Sequence, residues 1–240
     1  NEAWGADPTT FFLESFLETV PGNTFSWAPA WAVMIPLALV WVLVLLVIGR
    51  GLSKGVEAAN KVFLPLLVIL FLALVVRALF LPGAVEGLNA FFTPNWIALF
   101  DPNVWLAAFA QIFYSLSVGF GIMLTYASYL KPKSNLTGTA LVAGFANSSF
   151  EILAGIGVFS AIGFMAHQGG VSVSEVDGLT GPILSFVTFP KIISMMPGGP
   201  LFGVLFFSSL VLAGVTSLLS LLQVVSGGLQ DKFGWSPARS

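Results

Sequence analysis

Apolar runs long enough to cross a hydrocarbon core, which takes about 20 residues as helix, recur along this chain. Short segments between them hold most of its charges. The first run extends from Trp31 to Gly49 without a charge and ends at a loop, Arg50 to Lys61, that carries three cations. The second extends from Val62 to Leu81, with Arg77 near enough to its far end to snorkel into the headgroups before Pro82 and Gly83 release the chain. The third, Val104 to Leu130, is longer than a bilayer requires and holds the small and polar run Ser115 to Gly121 at its middle. A fourth, Leu136 to Met165, is interrupted by Asn147 and Glu151, and a fifth runs from Leu201 to Leu229. The pattern predicts an all-α, polytopic membrane protein with about five transmembrane helices, at 31–49, 62–81, 104–130, 136–165 and 201–229, the third weakened near 114–121. Residues 168–200, rich in Gly and Pro but with an apolar patch at Ile183 to Phe189, predict a structured, partly re-entrant outer loop. Residues 1–30, with Phe11, Phe12, Phe16 and Phe25, read as the end of a preceding span followed by an outer loop.

Composition agrees: 57% of the residues are hydrophobic and 8% are charged, against roughly a quarter charged in a soluble domain. A water-soluble fold of this length could not hide that much apolar surface. The lack of cysteine rules out disulfides and thiolate metal sites in these residues, and a net charge of -2 points to no class of partner. Position 1 is Asn and no signal peptide precedes the first span, so the chain reads as a piece of a longer one. If the five spans alternate, seven of the nine cations share one side: Arg50, Lys54, Lys61, Lys131, Lys133, Lys232 and Arg239. Arg77 and Lys191 lie opposite. Cytoplasmic loops retain Lys and Arg, which predicts a cytoplasmic C-terminus and a multi-pass protein of the cell membrane.

Glu151 is the costliest residue in the pattern, because a carboxylate inside a span is penalised by about 2.5 to 3.5 kcal/mol on insertion scales. Asn147 precedes it by one helical turn and shares its face. Hard cations take oxygen ligands, so one reading is an ion site or a proton-linked site facing the bundle interior, within reach of Asn147 or Ser115. The other is a hydrogen-bonded pair that joins helices. Unwound backbone at Ser115 to Gly121 would be tolerated only where it lines a cavity, although small residues also serve helix packing. In the last span Ala213, Thr216 and Ser217 present a carbonyl and two hydroxyls on one face, or hydroxyls that bond back to their own helix.

Other chemistry is sparse. His167 stands alone, with no cysteine and no second histidine, and makes no metal site. There is no phosphate loop, nucleophile elbow or catalytic set, and no basic surface for nucleic acid. Asn135 and Thr137 fit a glycosylation pattern, but on the side predicted to be cytosolic.

Four strings carry a family resemblance: Gly51 to Glu57 (GLSKGVE), Gly87 to Trp96 (GLNAFFTPNW), Gln111 to Tyr129 (QIFYSLSVGFGIMLTYASY) and Ala213 to Ser217 (AGVTS). They resemble the neurotransmitter:sodium symporters, in the branch of bacterial amino-acid transporters, and the likeness extends over nearly the whole chain. It implies a partial LeuT-type inverted-repeat bundle, from the end of the family's third span through its eighth. Carried over residue by residue, it implies that Ser115 and Asn147 are ligands of one sodium ion, and Ala213, Thr216 and Ser217 of a second, each site incomplete here. Tyr114, Ser115, Ser117, Val118 and Phe120 fall where the family's unwound span contacts substrate, and Leu218 and Leu221 resemble pocket residues. Glu151 stands where a fixed carboxylate replaces chloride. Tyr114 resembles an aromatic lid, with Gln111 one turn outward, and Tyr129 and Asp231 resemble members of a cytoplasmic gate.

The resemblance has gaps. The glycine-rich first span, which supplies half of both sodium sites, and the third-span tyrosine that binds a substrate carboxylate are not in the chain. Leu218 replaces a small or hydroxylated residue and makes its side of the pocket apolar. The reading is sodium-coupled symport of a neutral, hydrophobic amino acid by alternating access, independent of chloride, with the missing spans supplied by the same transporter and no organic cofactor. The alternative is an ion channel or non-transporting membrane subunit on the same scaffold, though no ring of carbonyls or charges forms a filter.

Overall fold

The computed structural model describes residues 4, 7–19, 28–131, 133–176, 179, 181–237 and 239; Phe25 of the expected outer loop lies outside them. Among the described residues the regular structure is helical. A short helix, Pro8–Thr10, continues as a wider π-type turn, Phe11–Phe16, whose Phe12 stacks on Phe186 at 5.2 Å. α1 (Trp31–Ile48) is apolar on every side. Val44 and Ile48 pack into a cluster with Val56 and with Val215 and Leu219 of the last helix, while Leu37, Leu39 and Leu45 stay exposed. A helix with no polar stripe suits a surface in contact with acyl chains.

α2 (Glu57–Leu79) begins a turn earlier than the apolar run that predicted it, since Glu57 and Lys61, 2.8 Å apart, pair across one helical turn. The turn before it depends on Gly55, where an added Cβ would lie 1.9 Å from the Val47 carbonyl oxygen. After Gly83, at φ +82°, α3 (Ala84–Phe92) lies across α6 (Leu136–Gly169). That crossing is almost backbone on backbone. A Cβ on Gly87 would fall 1.8 Å from the Phe159 carbonyl oxygen, and one on Gly163 would fall 2.4 Å from the Gly83 oxygen.

The segment expected as one span at 104–130 is two pieces, α4 (Pro102–Ser115) and α5 (Ile122–Ser128). Asp101 caps α4 by accepting the Asn103 N–H at 2.9 Å, and Pro102 follows at a position where its missing N–H costs nothing. Asn135 caps the start of α6, its side chain accepting the Gly138 N–H at 2.9 Å. The segment at 168–200 holds a Ser172–Glu175 capping box, then α7 (Gly181–Met195). Hydrogen bonds from the Ser172 N–H and hydroxyl hold the Glu175 carboxyl below the usual carboxylate range. α7 is apolar but shorter than a span needs. It packs inward, with Ile192 1% exposed beside Leu81, Ala161 and Phe164, and with Phe189 stacked on Phe206 at 4.8 Å.

α8 (Gly199–Phe233) crosses the whole fold, and its buried side contacts α1, α2, α5 and α7. Trp31–Ile48, Lys54–Leu79, Leu136–Gly169 and Gly199–Phe233 are each long and apolar enough to cross a membrane. The broken α4–α5 segment is the fifth apolar stretch of the expected pattern.

A methyl group at the α3–α6 crossing has nowhere to go, so Gly87→Ala should lower the thermal unfolding midpoint of the detergent-solubilised protein. The cost is about 1 to 3 kcal/mol by overpacking. Gly144→Ala on the same α6, where an added Cβ meets nothing within 4 Å, should leave the midpoint in place. Equal effects of the two changes would contradict the crossing described.

Candidate functional site

The break between α4 and α5 arises from three alternate residues in the left-handed region: Ser117 at φ +53°, Gly119 at +85° and Gly121 at +78°. Glycine adopts that conformation freely, and L-residues pay roughly 1 to 2 kcal/mol for it. The hydrogen-bond ladder changes accordingly. The Ser117 N–H donates three residues back to Tyr114 at 3.1 Å and the Val118 N–H five back to Phe113 at 2.9 Å, and the regular pattern resumes with Thr125 to Gly121. The helix interrupted between Tyr114 and Gly121 is therefore present as expected.

The interruption faces a cavity of about 490 Å³. Tyr114, Ser115, Ser117 and Phe120 line it from the break, and Thr216, Ser217 and Leu221 from α8. Ile122, Met123 and Tyr126 of α5, Asn60 and Leu64 of α2, and Ser220 complete the wall. Most of the residues expected to touch substrate or sodium thus share one space. Tyr114 is exposed and meets Phe120 edge-on with ring centres 6.5 Å apart. Val118 is exposed, and Leu218 packs against the buried cluster of Val44, Val56 and Leu219.

Two rungs join α4 to α6. The Asn147 Nδ2 donates to the Ser115 Oγ at 3.2 Å, and one turn further the Gln111 Nε2 donates to the Glu151 Oε1 at 3.4 Å. Glu151 therefore turns toward the bundle, but its hydrogen bond comes from Gln111, where the spacing alone pointed to Asn147 or Ser115. The reason is the crossing of α4 and α6: positions 111 and 115 on one helix meet 151 and 147 on the other in antiparallel order. In α8 the Thr216 hydroxyl donates to the Ala213 carbonyl at 2.9 Å, so the ligand candidates of that helix are already in contact, and Ser217 is exposed to the cavity.

The gate residues separate. The Tyr129 hydroxyl accepts from Gln223 Nε2 at 3.4 Å, whereas Asp231 is exposed in the last turn of α8. Asn60, Tyr126 and Ser220 were not anticipated as part of the wall. Asn60 offers a weak signal, an amide beside the start of an apolar run, and Tyr126 lies inside the diagnostic string at 111–129. Among the described residues no group of three or more His, Cys, Asp or Glu side chains is placed to hold a metal ion. The oxygens on offer are amide, hydroxyl and carbonyl, a set suited to a hard monovalent cation rather than to zinc.

The sequence profile described as "Sodium:neurotransmitter symporter family" matches residues 4–239. The chain belongs to the sodium:neurotransmitter symporter family. It is 40% identical over 232 residues to an uncharacterised sodium-dependent transporter of Methanocaldococcus jannaschii, covering 96% of this chain and 47% of that protein. The human sodium- and chloride-dependent neutral and basic amino acid transporter B(0+) is 37% identical over 133 residues, 55% of this chain and 21% of the relative. Among solved structures, that of MhsT in complex with L-phenylalanine superposes with a TM-score of 0.76 at 36% identity, over 99% of this chain and 49% of that one. Against both the archaeal transporter and MhsT, this chain spans about half the length. The symporter family is one of transporters rather than enzymes, and the fold is a partial LeuT-type bundle.

If the Asn147–Ser115 rung couples α4 to α6, a double-mutant cycle of Asn147→Ala and Ser115→Ala should show about 0.5 to 1.5 kcal/mol of interaction in thermal unfolding. Strict additivity would show that the two side chains act independently.

Proposed function

We propose that this chain supplies a major part of a sodium-coupled symporter that carries a neutral, hydrophobic amino acid by alternating access without needing chloride. The observation that carries the reading is the helix broken at Ser115–Gly121 facing the hydroxyls of Thr216 and Ser217 across one cavity. Broken helices in transporters hold ions and substrate at their free ends. Ser115 and Asn147 are assigned to one sodium ion and Ala213, Thr216 and Ser217 to a second, with other ligands from segments outside this chain. Donation of the Thr216 proton to the Ala213 carbonyl leaves the lone pairs of the Thr216 hydroxyl oxygen for a cation. Tyr114, Ser115, Ser117, Val118, Phe120, Leu218 and Leu221 are assigned to the substrate side. Their mainly apolar character, and the complex of the similar MhsT with L-phenylalanine, favour a hydrophobic side chain.

Gln111 and Tyr114 are assigned to the outer gate, and Tyr129 and Asp231 to the inner one. The clustering of cations on one face supports a cytoplasmic C-terminus in the cell membrane. Glu151 supplies the fixed negative charge. A cation in a low-dielectric site binds poorly when uncompensated, and a carboxylate one turn from Asn147 offsets it.

Two measurements on the full-length protein test these assignments. Thr216→Ala and Ser217→Ala should each raise the sodium concentration for half-maximal uptake by about tenfold or more, the scale of a lost bond to a charged group, with little change in thermal midpoint. An unchanged sodium activation curve would remove the second ion site. Glu151→Ser should make uptake depend on added chloride, compared in chloride and gluconate media at equal amounts of folded protein. Equal activity in both media would reject the charge-compensating role and leave Glu151 as a helix-joining group.

A further inference from the structure

A second cavity, of about 900 Å³, lies beyond the first and is lined by Glu57, Lys61, Tyr129, Leu130, Gln223 and Gln230 among others. Asn60, Leu64 and Tyr126 line both cavities, so they form the neck between them. Asn60 Oδ1 in the neck and Gln223 Oε1 in the wall of the second cavity are buried without a hydrogen-bond partner among the described residues, and Gln223 is 2% exposed. A buried amide oxygen left unpaired is costly. Water, a passing donor or a segment outside this chain would satisfy each.

Across this neck α5 is fastened to α8. The Tyr126 hydroxyl donates to the Ser220 Oγ at 2.9 Å, and the Ser220 hydroxyl donates in turn to the Thr216 carbonyl at 3.2 Å. One turn along both helices, Gln223 donates to Tyr129. Spacings of three residues on each helix, 126 to 129 and 220 to 223, place both bonds on facing sides. Gly227 lets the helices close up, since a Cβ there would come 3.3 Å from Thr125 Cγ2. α5 has only seven residues and is separated from α4 by the break, so these contacts help to hold it against α8.

We propose that Tyr126 and Ser220 are positioning residues, whose hydrogen bond latches α5 to α8 and sets how often the site cavity opens through the neck. The Ser220 hydroxyl also donates to the main-chain carbonyl of Thr216, the residue whose hydroxyl is an assigned sodium ligand, so the state of the latch is felt beside that ligand. That last consequence rests on the symport reading; the latch itself rests on the geometry alone.

The test uses a single thiol in the full-length protein. The chain contains no cysteine, and any cysteine elsewhere in the full-length protein would be replaced. Met123→Cys lines the site cavity but not the second one. Its modification by a membrane-impermeant methanethiosulfonate, added from the face bearing Lys131 and Lys133, reports opening of the neck. Tyr126→Phe, which removes one oxygen and keeps the ring, and Ser220→Ala should each speed labelling about three- to tenfold, the range expected when one hydrogen bond is lost from a two-state equilibrium. The double variant should label no faster than either alone, since both remove the same bond. Ser220→Thr, which keeps the hydroxyl, should label at the parent rate. Unchanged labelling in Tyr126→Phe and Ser220→Ala, or a rise in Ser220→Thr equal to that in Ser220→Ala, overturns the latch. Labelling is measured without sodium, and sodium-driven uptake separately. Flat labelling with intact uptake removes the latch alone, while faster labelling in a protein with no sodium-driven uptake keeps the latch and removes the symport reading.

Discussion

Hydrocarbon supplies no hydrogen-bond partner to a peptide group, and the architecture follows from that constraint. Each long helix satisfies its own backbone, which lets α1 expose an almost wholly apolar surface. The stretch from Leu116 to Gly121 does not continue the helix, and such backbone is tolerated at membrane depth only where it lines a cavity or is covered by protein. Here it lines the cavity that also receives Thr216 and Ser217. The break and the cavity are two descriptions of one solution, and the surrounding helices are arranged to contain it.

Polar side chains obey the same rule one level up. Asn147, Glu151, Gln111 and Ser115 would each be expensive facing lipid, and they meet as two rungs between α4 and α6. Hydroxyls within helices bond back to their own carbonyls, as Ser160 does to Ile156 and Thr216 to Ala213. Such a bond hides a hydroxyl without preventing its oxygen from accepting or ligating. The group that lowers the cost of insertion is therefore the same group available to an ion. Close packing of α3 on α6 through Gly83, Gly87 and Gly163 holds one end of α6 by backbone contact, which leaves its middle free to present Asn147 and Glu151.

The main elements were legible because their physics is local. An unbroken apolar run such as Trp31 to Gly49 has one stable form in a bilayer, and glycines at 119 and 121 beside serines at 115 and 117 locate a place where a helix stops. The family string at 111–129 pointed to residues that line the cavity for the same reason, since it is one contiguous segment. The partner of Glu151 was less legible. Helical spacing names the neighbours on its own helix, Asn147 among them, but the bond comes from Gln111, forty residues away.

The wall residues Asn60, Tyr126 and Ser220 show the same division. Each is an ordinary polar residue in its own segment, and none follows a spacing that marks a site. They become neighbours through the packing of α2, α5 and α8, where glycine at 227 permits close approach and the seven-residue α5 can dock. The amino-acid sequence by itself determined the membrane class, the positions of the apolar helices and the point at which one breaks, because insertion free energy and backbone conformation are properties of consecutive residues. Only the tertiary structure decided which polar groups pair and which line one cavity, because those distances depend on how helices far apart in the chain cross.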